Sequence, residues 1–142
     1  MTDTGNNSLS IRIYYEDTDA GGIVYHANYL KYFERGRTEA LRRVHGDISN
    51  LASDPASPIL FVVASIQVDF KRPGHLDDII RIKTDLVHAK GARLIFDQRA
   101  YRGDTLLVRA DVVVAATDGT GRPCRLPASL AAALLPNGSA AN

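Results

Sequence analysis

Only one stretch of this chain has the period of a long helix, and nearly everything after it alternates. From about Ala27, the residues Tyr29, Leu30, Phe33, Gly36, Ala40, Leu41 and Val44 recur on one helical stripe. Lys31, Glu34, Arg35, Thr38, Glu39, Arg42 and Arg43 fill the remaining surface. Glu39 can reach Arg42 and Arg43 one turn later, and Gly46 after His45 reads as a stop signal. Gly36 lies on the apolar side, where glycine costs about 1 kcal/mol relative to alanine. A sheet passing close to that face would account for it.

Residues 9–15 come before the helix and alternate. Leu9, Ile11, Ile13 and Tyr15 share one face, and Ser10, Arg12 and Tyr14 the other, as expected of a half-buried strand. Four more strand-like runs follow the helix. They span residues 59–70, 79–88, 92–102 and 105–116, after a stretch over residues 47–58 that reads as a loop. The connections are Arg72-Pro73-Gly74, a hairpin at Ala89-Lys90-Gly91 and the pair Gly103-Asp104. Successive short turns predict an antiparallel meander. A short helix begun by Pro127 closes the pattern. The expected class is α+β, an antiparallel sheet curled around one long central helix. It would occupy residues 9–135, between a mobile tail at 1–8 and a C-terminal tail at 136–142.

Composition narrows the function. The chain has 142 residues, 45% of them hydrophobic, which suits a packed globular domain. A net charge of +1 sets up no strong field toward nucleic acid or an anionic membrane. Cys124 is the single cysteine, so no internal disulfide is expected. The polar first residues lack the apolar core of a signal peptide, and no apolar run reaches membrane-span length. These features predict a cytoplasmic protein without membrane insertion. His45, His75 and His88 have no partners at metal-ligand spacing, so no metal and no separate cofactor are expected.

The segment between strand and helix, Asp17-Thr18-Asp19-Ala20-Gly21-Gly22, admits three readings. As a calcium loop it fails at the fifth position, Gly21, and at the twelfth, Asn28, and a strand rather than a helix precedes it. As a helix-capping turn it uses the affinity of aspartate oxygens for backbone N–H groups, although Asp19 lies several residues ahead of the helix. As a catalytic site it combines glycines that let a substrate approach the backbone, open N–H groups at a helix start and a carboxylate facing them. Hydrolysis of an ester or thioester needs that pair, an oxyanion site and a base or nucleophile on opposite sides of one carbonyl. On this reading Asp19 is the base or nucleophile, and the N–H groups near Tyr25 and His26 polarise the carbonyl.

The stretch from Tyr14 to Arg42 resembles the hotdog-fold acyl-CoA thioesterases of the 4-hydroxybenzoyl-CoA thioesterase superfamily, and within it the Tol-Pal-associated YbgC branch. The likeness runs from about Ile11 to Pro127. It is strongest in the Asp-x-x-Gly-x-Val-x-x-x-x-Tyr pattern of Asp19, Gly22, Val24 and Tyr29. The segment Phe70 to Asp78 also looks like a family turn.

The resemblance implies a catalytic role for Asp19, supported by His26 and Tyr15. It places backbone donors and close substrate approach at Gly22, Val24, Tyr25 and His26. Basic residues at a site mouth suit the phosphates of coenzyme A, and Lys90 and Arg93 lie in the region where related enzymes hold the nucleotide. Lys71 and Arg72 are weaker candidates. Asp77 and Asp78 read as turn chemistry. The implied partners are acyl-CoA, acyl carrier protein thioesters, and further copies of the chain in a homodimer or homotetramer with sites between protomers. Pairing would satisfy edge strands. Two other classes remain in view, a hydroxyacyl-thioester dehydratase using His26 and a distant acid, and a non-catalytic acyl-thioester-binding protein.

Overall fold

The computed structural model describes residues 7–47, 49–55 and 57–135. The elements in chain order are β1 (Ser8–Arg12), a 3-10 turn (Tyr15–Asp17), α1 (Asn28–His45), α2 (Ser49–Ser53), β2 (Leu60–Phe70), β3 (Ile79–Lys90), β4 (Arg93–Arg102), β5 (Thr105–Thr117) and α3 (Ala128–Leu134). Residues 1–6 of the expected N-terminal tail, and the whole expected C-terminal tail, lie outside the described residues.

The five strands form one antiparallel sheet in the order β1-β3-β4-β5-β2. β1 pairs with β3, Ser8 opposite Lys83 and Arg12 opposite Ile79. The meander expectation holds for β3-β4-β5 and fails for β2. That strand lies beside β5, so the segment after Phe70 is a crossover and not a hairpin. Turn residues specify that a chain bends, and they do not specify which strand it will pair with next. Three local boundaries also differ. The first strand ends at Arg12, and Tyr15 opens the 3-10 turn. The β3–β4 hairpin turns at Gly91-Ala92. The stretch expected to be all loop carries the short α2, whose Leu51 is buried and whose carbonyl accepts the Ile59 N–H at 2.7 Å.

The described residues fall into two compact units, one drawn from 7–40, 68–84 and 98–110, the other from 41–47, 49–55, 57–67, 85–97 and 111–135. The core of the first holds Ile11, Ile13, Val24, Tyr29, Tyr32, Phe33, Ile80, Ile82, Leu107 and Val108. The core of the second holds Leu51, Ile59, Leu86, Leu94, Phe96, Val112, Val114, Leu126, Leu130 and Leu134. In the first unit α1 lies directly on the sheet. A Cβ at Gly36 would stand 2.5 Å from Thr84 Oγ1, 3.0 Å from Ile82 Cγ2 and 3.1 Å from Gln98 Nε2. The close approach expected from the glycine is therefore real. The helical stripe shifts slightly from its expected position: Tyr32 is buried, and Leu30 and Val44 are exposed.

β2 is an edge strand whose residues are all exposed or half-exposed, with Leu60, Val62, Val63 and Phe70 among the exposed. No helix among the described residues is long and apolar enough to cross a membrane.

Candidate active site

The two aspartates before α1 have separate tasks. Asp17 is built into the fold. Its Oδ2 accepts the Tyr14 N–H at 2.8 Å, its Oδ1 accepts the Tyr32 hydroxyl at 2.7 Å, and its carbonyl accepts the Asn28 side-chain amide at 2.9 Å. Burial and the Asp17 carboxylate both push the Tyr32 phenol well above its ordinary pKa, so it remains a donor. Asp19, two residues on, is exposed, and among the described residues its carboxylate accepts a single bond, from the Gly21 N–H at 2.8 Å.

Asp19 sits in a tight loop closed by an isolated antiparallel bridge between Thr18 and Val24. Its own N–H donates to the Ile23 carbonyl at 2.9 Å, and its carbonyl accepts the Gly22 N–H at 3.0 Å. Gly22 has φ +79° with open space where a Cβ would stand, a left-handed turn that glycine takes without steric cost. Two bonds moor the end of the loop: Val24 N–H to the Gly74 carbonyl and Tyr25 N–H to the Asp17 carbonyl, both 2.9 Å. The Val24 and Tyr25 N–H groups are therefore engaged within the fold.

The helix start behaves similarly. The N–H groups of Asn28, Tyr29 and Leu30 turn back to the carbonyls of Tyr25, His26 and Ala27 at 2.9–3.3 Å. Among the described residues the His26 and Ala27 N–H groups make no hydrogen bond, which leaves them as the open donors ahead of α1. The His26 ring is exposed and packs edge-on against Tyr25, with centroids 4.8 Å apart, and against Phe70 at 6.0 Å.

Val24 and Tyr29 anchor this segment from below. Both are buried, and both press on Gly74, where a Cβ would lie 2.8 Å from the Tyr29 hydroxyl and 3.1 Å from Val24 Cγ2. Burial raises the Tyr29 pKa, and the Gly74 backbone opposes that shift. The contact lacks hydrogen-bond geometry, however, and the Tyr29 oxygen is without a partner among the described residues.

Tyr15 stands apart from this loop. It is 82% exposed and lines an open groove of about 620 Å³ with Ile13, Tyr14, Glu16, Leu76 and Asp77. The groove includes neither Asp19 nor His26. Lys90 and Arg93 flank the β3–β4 turn, and both are exposed. The sequence reading left Arg102 unassigned and took Asp78 as turn chemistry alone. Their side chains meet at 3.1 Å across 24 residues, beyond the reach of any local spacing rule.

The profile of the thioesterase superfamily matches residues 21–109, beginning just past Asp19. The acyl-CoA thioesterase YbgC of Haemophilus influenzae is 41% identical over 134 residues, 94% of this chain and 96% of that protein. The acyl-CoA thioester hydrolase YbgC of Escherichia coli O6:H1 is 42% identical over 124 residues, 86% of this chain and 90% of that one. A crystal structure of a probable thioesterase from Bartonella henselae superposes with a TM-score of 0.81 at 40% identity, covering 84% of this chain and 98% of its own. On the sheet order, the helix laid on the sheet and these likenesses, the chain belongs to the thioesterase superfamily, in its hotdog-fold YbgC acyl-CoA thioesterase branch.

Proposed function

We propose that the chain hydrolyses acyl-CoA thioesters to a free carboxylic acid and coenzyme A, with Asp19 as general base or nucleophile and the His26 N–H as a donor to the thioester oxygen. The observation that carries this reading is the contrast between the two aspartates. Asp17 spends both carboxylate oxygens inside the fold, whereas Asp19 offers an exposed carboxylate on a glycine loop immediately before the open N–H groups. The curated relatives at 41–42% identity are named for the same reaction.

Two routes use this geometry. As a base, Asp19 takes a proton from water, the oxygen attacks the carbonyl carbon, and the C–S bond breaks to release the thiolate, which is then protonated. As a nucleophile, Asp19 forms an anhydride with the acyl carbon as the thiolate leaves, and water then cleaves the anhydride. In both, negative charge builds on the carbonyl oxygen, where backbone donors act most strongly. Tyr15 and the His26 ring support substrate placement. Lys90 and Arg93 contact the phosphates of the nucleotide, and acyl carrier protein is the alternative thiol carrier. The assembly is a homodimer or homotetramer formed through β2, whose unpaired edge carries exposed Leu60, Val62 and Val63. A cytoplasmic location fits a coenzyme A substrate and a chain with one cysteine.

The test is Asp19→Asn, assayed for kcat, for affinity toward a non-hydrolysable acyl-CoA analogue and for melting temperature. A lost base should reduce kcat about 10²–10⁴-fold with the analogue Kd nearly unchanged. A folded variant keeping more than about a tenth of wild-type kcat would overturn the assignment. Single-turnover hydrolysis in ¹⁸O-water separates the routes, because only the anhydride route can leave label in the Asp19 carboxylate.

A further inference from the structure

The loop that carries Asp19 is bonded largely to itself. Its start is tied to the 3-10 turn, where the Thr18 N–H and hydroxyl donate to the Tyr15 carbonyl at 3.1 and 2.8 Å, and its end to Asp17 through the Tyr25 N–H. Its far side is moored to the segment 73–78 that follows β2: Val24 N–H donates to the Gly74 carbonyl, and Ile23 faces His75 in an isolated antiparallel bridge. Ile23 in turn accepts the Asp19 N–H through its carbonyl. The placement of Asp19 therefore depends in part on how firmly residues 73–78 are held.

The end of this segment is tied to β1 and the residue after it: Arg12 Nη1 donates to the Asp77 carbonyl at 2.8 Å, the Ile13 N–H to the Asp78 carbonyl at 2.9 Å and the Asp77 N–H to the Ile13 carbonyl at 2.8 Å. The Arg102 guanidinium is the group that joins its start, at Pro73 and His75, to Asp78. Arg102 is the last residue of β4, fixed at its backbone by the sheet. Its Nη1 lies 3.1 Å from Asp78 Oδ2, 3.2 Å from the Pro73 carbonyl and 3.5 Å from His75 Nδ1. Asp78 Oδ2 also accepts the His75 N–H at 2.9 Å, while the Asp78 N–H donates to the His75 carbonyl at 3.1 Å. One nitrogen and one carboxylate oxygen thus draw both arms of the turn together. The pair is partly solvated, with side chains 38% and 21% exposed, so it contributes little to global stability. Its geometry suits alignment better, since the two hydrogens of one nitrogen can serve the Asp78 carboxylate and the Pro73 carbonyl at once.

From this we infer that Arg102 is a positioning residue for thioester cleavage, acting through Asp78 and the 73–78 turn to set Asp19 and the His26 donor in register with the acyl carbon. The inference rests on the reading of Asp19 as base or nucleophile. Misplacing a reacting group by about 1 Å can cost on the order of 100-fold in rate.

The test is a double-mutant cycle of Arg102→Ala and Asp19→Asn in the full chain, with kcat and KM measured on one acyl-CoA and folding checked by melting temperature. Arg102→Ala should lower kcat about 10- to 100-fold with KM changed by less than about threefold. The double variant should be about as slow as Asp19→Asn alone, because residues acting as one unit are not additive. Arg102→Lys, or millimolar guanidinium added to Arg102→Ala, should restore part of kcat. If Arg102→Ala does not fold, Asp78→Asn, which keeps the side chain's shape, takes its place in the cycle. Wild-type kcat in the Arg102 variant beside a collapsed Asp19→Asn would overturn the positioning role and leave the catalytic reading standing. So would a full multiplication of the two losses, the mark of general loosening. An active Asp19→Asn would overturn both.

Discussion

Gly36→Ala puts one methyl group where the helix touches the sheet. On an exposed helix the change would stabilise by about 1 kcal/mol. Here the new Cβ would sit 2.5 Å from Thr84 Oγ1, 3.0 Å from Ile82 Cγ2 and 3.1 Å from Gln98 Nε2, and both polar side chains are fully buried. Neither can yield without loss. Gln98 Nε2 donates to Thr84 Oγ1 at 2.7 Å and to the Phe33 carbonyl at 2.8 Å, while its Oε1 accepts Arg37 at 2.9 Å. Burial lowers the Arg37 pKa, and Glu34 opposes that shift. Overpacking costs about 1–3 kcal/mol, and a buried polar group left without its partner costs about 1–3 kcal/mol more. Against the propensity gain, the net loss should be about 1–5 kcal/mol, a fall of roughly 3–15 °C in Tm for a chain of this size. Urea unfolding at fixed protein concentration measures it, with concentration held because self-association shifts apparent stability. Adding Thr84→Ala removes the nearest clashing atom and should recover part of the loss in the double variant. A Gly36→Ala protein as stable as wild type would refute the close-approach account.

Two further outcomes are expected. Asp118 Oδ1 accepts bonds from the Thr120 hydroxyl, the Thr120 N–H and the Arg122 N–H, which hold its carboxyl below the ordinary value. A folded-state pKa below the unfolded one means stabilisation present above about pH 4 and lost as pH falls through the lower folded value. The difference in urea midpoint between wild type and Asp118→Asn should therefore hold steady above about pH 5 and close toward acid; a gap that widens in acid would contradict the assignment. Lys90→Glu with Arg93→Glu should raise KM for acyl-CoA, each lost phosphate contact being worth about 1.5–3 kcal/mol, and should spare a minimal thioester lacking the nucleotide. Equal losses on both substrates would show that these residues do not hold phosphates.

Local chemistry wrote the elements into the sequence. Alternation and helical period place β1, α1 and the later strands to within a few residues, because side-chain direction repeats every two residues in a strand and every 3.6 in a helix. The apolar-face Gly36 already implies the close sheet beneath it, and the Asp19 pattern by itself points to a family. Partnership between distant segments was not legible. The sequence does not say that β2 lies beside β5, or that Tyr32 claims Asp17 and leaves Asp19 exposed. Nor does it say that the Tyr25 N–H is spent on Asp17, or that Arg102 clamps a turn 24 residues earlier in the chain through Asp78. A backbone or carboxylate group takes whichever donor the packed fold brings within about 3 Å, and no local propensity encodes that choice.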